Sequence, residues 1–253
     1  MDDSTRVEAV SSTPVAAPAG DGPEEPSAAG NLWDRTRFRP SRKGGVAMTR
    51  VQQAEHEKRI AMLRTRIMRE MRERGWNRLA VMPVTAGAGA TTLAVDLTRM
   101  IIRHRGTRVM LIDANLGNPA IAARIGVEGC GSLSRAVQAG EDLSRILQVL
   151  PDQRNLAVLA PSEPESEASE FLQGGRLPAA LRRLAENDPA HVTLIDTAPL
   201  LGTDVGIAAL PLVDAILLVA DARRTTAADM KECERLLVDM PPLMGVVLNK
   251  TSS

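Results

Sequence analysis

Tyrosine is absent from this 253-residue chain, so nowhere along it can phosphate be carried on a phenolic hydroxyl. Cysteine is scarce as well. Cys130 and Cys233 lie far apart and without metal-ligand spacing, which reads as two reduced structural thiols and excludes a disulfide framework or a zinc cluster. Long hydrophobic runs are missing. Strongly apolar stretches such as 215–220 fall well short of the roughly 18 residues that a membrane span requires, and the acidic N-terminus lacks a signal-peptide pattern. Charge of one sign is not in excess either, with 31 basic against 31 acidic residues, so nothing global points to nucleic acid or an acidic polymer as partner. The expectation is a cytoplasmic protein, peripheral at most to the inner face of the plasma membrane.

What is present suffices for a core. With 44% hydrophobic residues, the length suits one large α/β domain with an appended tail. Residues 1–45 are rich in Ala, Pro, Ser, Gly and Glu without apolar periodicity, and read as a disordered tail. Its end carries Arg35, Arg37, Arg39, Arg42 and Lys43 around Trp33 and Phe38, either a solvated linker or a patch suited to anionic lipid or an acidic partner. The domain spans 46–253 and opens with an amphipathic helix over 46–75, whose Ile60, Leu63, Ile67 and Met71 recur at three- and four-residue spacing until Gly75. That stripe packs on the following domain or pairs with another subunit.

Apolar runs at 79–84, 109–112, 156–160, 192–195, 215–220 and 245–248 alternate with helical segments. This order predicts a mostly parallel sheet with helices on both faces, binding ligands beyond the carboxyl ends of its strands.

Three motifs fall at those ends. The first strand runs into Thr85-Ala86-Gly87-Ala88-Gly89-Ala90-Thr91-Thr92, a glycine turn opening a helix. Glycine-freed N–H groups at a positive helix end favour phosphate, and a hydroxyl such as that of Thr91 can hold Mg2+. The second strand ends in Asp113-Ala114-Asn115-Leu116-Gly117-Asn118-Pro119, the fourth in Asp196-Thr197-Ala198-Pro199. Acids there can orient Mg2+ or a nucleophile. Each signal is weak alone; the three in order predict a P-loop NTPase-like fold.

Over about residues 55 to 250 these segments resemble the bacterial tyrosine kinases of capsule and exopolysaccharide synthesis, which are related to the Mrp and partitioning ATPases. Leu63-Arg64-Thr65, Gly131-Ser132-Leu133-Ser134 and Val247-Leu248-Asn249-Lys250 resemble further stretches of that family. The resemblance implies ATP or ADP with Mg2+ on Gly87, Ala88, Gly89, Ala90, Thr91, Thr92 and Asn249, the last near the adenine. It implies Mg2+ at Thr91 and Asp196, and a residual catalytic role for Asp113. Arg223, Arg224 and Thr225 match a stretch that often carries basic residues.

The departures strike the chemistry. Ala90 stands where the family has the phosphate-binding lysine, Asn115 where it has a second acid and Gly117 where it has an arginine, while Thr85 occupies the other lysine position of the partitioning enzymes. Phosphoryl transfer is mostly positioning and charge stabilisation, in which one such group contributes about 10²–10⁵ in rate. The resulting expectation is a kinase-like protein impaired in catalysis, a pseudokinase binding ATP or ADP weakly or not at all. It would regulate exopolysaccharide or capsule synthesis through a membrane chain-length or export protein. The alternative is an active ATPase or protein kinase using a substitute cation, from Arg223, Arg224 or a partner; a partitioning or positioning ATPase is the remaining alternative. Self-association through the leading helix is weakened by Lys58 and Ala61, which replace the family's glutamate and arginine.

Overall fold

The computed structural model describes Trp33 and residues 50–150, 152–187 and 189–251. In chain order the elements are α1 (Arg50–Arg74), β1 (Arg78–Pro83), α2 (Ala90–Ile101), β2 (Val109–Ala114), α3 (Ile121–Ile125), α4 (Leu133–Gln138), α5 (Leu143–Ile146), β3 (Gln148–Leu150) and β4 (Gln153–Leu159). There follow α6 (Ala168–Gln173), α7 (Arg176–Asn187), β5 (Val192–Thr197), α8 (Val205–Ala208), β6 (Ala215–Asp221), α9 (Ala227–Leu236) and β7 (Leu243–Asn249). Strand order is β3-β4-β2-β5-β1-β6-β7, parallel throughout except for the antiparallel β3–β4 pair. The three-residue β3 was not expected from the sequence.

The two-residue period of the strands builds two cores. Leu79, Val81, Val109 and Leu111 face one side with Leu93, Leu97 and Ile101 of α2 and Ile60, Ile67 and Met71 of α1. Ala80, Met82, Met110 and Ile112 face the other, with Leu177, Ala180 and Leu184 of α7 and Cys233 of α9. Every residue of β2 and β6 is buried, as expected of strands covered on both faces.

The leading helix packs on α2, so the first of its two expected roles holds. His56 pairs with Asp96 at 2.8 Å and Arg103 with Glu57 at 3.1 Å across that contact, while Met62 is exposed. The lower end of the sheet is pinned at Asp214, whose carboxylate accepts the N–H groups of Asn77 and Arg78 and the Arg78 guanidinium. Both cysteines are free, and burial pushes each thiol up to about 11. Most of the segment read as a tail, with its basic residues, lies outside the described residues. Trp33 is the exception: its ring is buried in the second core under the Arg108 guanidinium, 5.4 Å from the ring centre.

Candidate functional site

The strand order decides what meets at the carboxyl edge. β1 lies between β5 and β6, so the turn that follows it has the end of β5 on one side and the ends of β6 and β7 on the other. That turn is held open by two glycines in the left-handed region, Gly87 at φ 81° and Gly89 at φ 95°. A Cβ on Gly89 would also collide with the Asn249 side-chain nitrogen. No side chain caps α2, and its first intrahelical bond runs from the Leu93 N–H to the Gly89 carbonyl. The N–H groups of Ala90, Thr91 and Thr92 therefore have no intrahelical acceptor, the arrangement by which a helix start binds anions.

On one side stand two buried carboxylates. Asp113 of β2 and Asp196 of β5 are register partners on adjacent parallel strands, both 0% exposed. Their surroundings differ. Asp113 accepts the N–H of Asn115 on one oxygen and those of Ala120 and Ile121 on the other. Burial raises its pKa to about 6, against the pull of those three donors. The residue read as a residual catalytic group thus holds the turn into α3 with both oxygens. Asp196 has no hydrogen-bond partner of ordinary geometry on either oxygen among the described residues. Burial, then the charge of Asp113, raises its pKa well above the usual range, and the nearby Thr91 hydroxyl only partly offsets this. An unpartnered buried carboxylate is costly, and a bound cation relieves that cost.

On the other side the ends of β6 and β7 clasp the turn. The Asn249 amide donates to the Ala88 carbonyl at 2.9 Å and accepts the Lys250 N–H at 2.9 Å. Lys250 Nζ donates to the Gly87 carbonyl at 2.6 Å and to Asp221 Oδ2 at 2.8 Å. The second contact, with the Arg223 N–H on the other oxygen, holds the Asp221 carboxyl below its usual range. Arg224 also reaches the loop: its Nη1 lies 3.9 Å from where a Gly87 Cβ would stand.

These residues fit a nucleotide phosphate chain with Mg2+. The turn offers N–H groups and a glycine cradle, and Asp196 with Thr91 offers oxygen donors where a hard cation would sit. No group of three or more His, Cys, Asp or Glu side chains suited to a metal occurs among the described residues. P-loop sites do not need one, because Mg2+ there is held by a hydroxyl, an acid and the phosphates themselves.

The structure thus gathers all the sequence-predicted residues at one edge: Gly87, Ala88, Gly89, Ala90, Thr91 and Thr92 in the turn, Asp113 and Asp196 on one flank, Asn249 on the other. Asn249 is engaged with the loop backbone. Sequence reasoning missed Asp221 and the role of Lys250; the only signal available was that both stand at the ends of apolar strands.

No protein-family model matches the sequence, and no curated protein matches it. Solved structures do match in fold. The VpsO kinase domain aligns with a TM-score of 0.69 at 22% identity, covering 81% of this chain and 100% of that one. The kinase domain of the Escherichia coli tyrosine kinase ETK aligns with a TM-score of 0.70 at 22% identity, covering 84% and 85%. The Pyrococcus furiosus cell division ATPase MinD aligns with a TM-score of 0.55 at 22% identity, covering 68% and 71%. The chain therefore has the P-loop fold shared by bacterial tyrosine-kinase domains and MinD-type ATPases.

Proposed function

We propose that this protein is a nucleotide-responsive, kinase-like regulator of exopolysaccharide or capsule synthesis, acting from the cytoplasmic face through a membrane chain-length or export protein. The observation that carries the nucleotide part is the unpartnered, buried Asp196 beside Thr91, next to a glycine turn that opens a helix without a side-chain cap. The polysaccharide part rests on the motif order of the sequence, which resembles that of the bacterial tyrosine kinases of capsule and exopolysaccharide synthesis; the fold shared with VpsO and ETK agrees with it. Among the described residues no helix is long and apolar enough to cross a membrane.

In this reading the turn N–H groups orient the phosphates, Thr91 and Asp196 hold Mg2+, and Asn249 fixes the loop by its bond to Ala88. Mg2+, when bound, would neutralise phosphate charge. Ala90 removes the charge that a lysine would add during transfer, so the site serves binding better than turnover. A ligand with different affinity for two conformations is enough to shift a population and gate a partner.

The test is genetic and biochemical. In the source organism, deletion of the gene should change polymer yield or chain length, wild type should restore it, and Asp196→Asn should not. Full restoration by Asp196→Asn would overturn the nucleotide part, and an unchanged polymer on deletion would overturn the polysaccharide part.

A second reading, an active ATPase or protein kinase with a substitute cation, is favoured by Arg224 and Lys250 at Gly87. Turnover that requires both Mg2+ and Asp196 would establish it. Self-phosphorylation on tyrosine is excluded for this chain in either case.

A further inference from the structure

The geometry points to Lys250 as the cation that meets the nucleotide phosphates in place of the lysine that Ala90 lacks. This rests on the nucleotide-binding reading above and deepens it.

Position is the first argument. Lys250 Nζ already lies at the phosphate turn, 2.6 Å from the Gly87 carbonyl, although 163 residues of chain separate the two. The sheet order brings them together, because β7 pairs with β6 and β6 with β1.

Local backbone is the second. Lys250 adopts φ 57°, one of only two non-glycine residues in the left-handed region among those described. Such a conformation is held only where the surroundings fix it, and it is enriched at ligand sites. Here the Lys250 N–H donates to Oδ1 of its neighbour Asn249, whose amide in turn donates to the Ala88 carbonyl of the turn.

Donor capacity is the third. An ammonium carries three N–H donors, and the Gly87 carbonyl and Asp221 take two. The side chain is 40% exposed, so an incoming anion has access. One of its two partners is a neutral carbonyl, which gives the ammonium no opposite charge, whereas a phosphate oxygen adds the attraction of an anion. The ammonium can keep Asp221 and exchange Gly87 for phosphate. Asp221, 2% exposed and anchored by the Arg223 N–H, then positions the lysine without competing for the ligand.

Calorimetric titration with Mg–ATP and with adenosine tests this on the full chain, comparing wild type, Lys250→Met, Ala90→Lys and the double variant. Methionine keeps the apolar stem and removes the charge. Lys250→Met should weaken Mg–ATP by about 10- to 100-fold, the range for a hydrogen bond to a charged group. Adenosine affinity should not change, and Ala90→Lys in the Lys250→Met background should restore Mg–ATP binding. If Lys250→Met proves unstable, Ala90→Lys alone decides: it should gain less than about threefold, since the charge is already supplied. Unchanged Mg–ATP affinity in Lys250→Met, or a gain of tenfold or more in Ala90→Lys alone, would overturn the assignment of Lys250 while leaving nucleotide binding intact. No Mg–ATP binding by wild type at millimolar concentration would overturn both.

Discussion

Replacing Asp196 with asparagine should stabilise the unliganded protein while abolishing its response to Mg2+ and nucleotide. The side chain is 0% exposed, neither oxygen has a partner of ordinary geometry, and Asp113 stands beside it in register. Asparagine keeps the shape and removes the charge. The amide is left as unsatisfied as a neutral carboxyl would be, so what the change relieves is the cost of the charge, about 1.4 kcal/mol for each tenfold by which folding weakens the acid. For a chain of this size each kcal/mol is worth about 2–4 °C in Tm, so Asp196→Asn should melt above wild type at pH 7.5 by about 3–6 °C for each such tenfold. The gain depends on pH with a definite sign. An acid whose folded pKa is raised binds its proton more tightly when folded, so its stabilising share is present below the unfolded value near 3.8 and is lost as pH rises through the folded value. The advantage of Asp196→Asn should therefore grow from pH 5 to pH 8. Thermal melts with and without Mg–ATP provide the assay, since a ligand that binds only the folded state raises the wild-type Tm by mass action. An Asp196→Asn protein that melts several degrees below wild type, or one that still responds to Mg–ATP, would refute the reasoning.

Three further outcomes follow from the same geometry. Asparagine at Asp113 cannot accept from both sides of its turn, so Asp113→Asn should start less stable than wild type at pH 4 and recover relative to it by up to ~3 kcal/mol toward pH 7, measured by urea unfolding. Gly89→Ala combines a left-handed φ with a collision at Asn249; it should lose about 1–3 kcal/mol in urea unfolding and increase hydrogen exchange in 85–92. Asp214→Ala removes the acceptor for two N–H groups and Arg78 and should cost about 1–3 kcal/mol in urea unfolding without changing nucleotide affinity, because it lies at the opposite edge of the sheet from the site.

The parts of the fold legible in the sequence were those written in continuous apolar runs. β1, β2, β5 and β6 are buried on both faces, and their hydrophobic runs are unbroken enough to stand out between helices. β3 was not legible, because three residues between α5 and β4 are too few for any period to register. The phosphate turn was readable because its glycines follow a strand and precede a helix. The roles of the acids were not, since donors seven and eight residues downstream of Asp113 engage it, while Asp196 has only the nearby Thr91 hydroxyl and no partner of ordinary geometry. Lys250 was visible only as the last letter of a strand-end motif. Its approach to Gly87 depends on the neighbours of β1, which local pattern does not encode. Trp33 was read as part of the basic and aromatic end of a disordered tail, whereas its ring has a buried place under Arg108.

Nucleotide binding at the edge formed by Gly87 to Thr92, Asp196 and Lys250 is the property on which the proposed function depends. Calorimetric titration of the full chain with ATP and with ADP in the presence of Mg2+, repeated on Asp196→Asn, measures that directly. Wild type should bind saturably, and Asp196→Asn should abolish that binding. No heat of binding at millimolar nucleotide, or equal binding by both proteins, would contradict this.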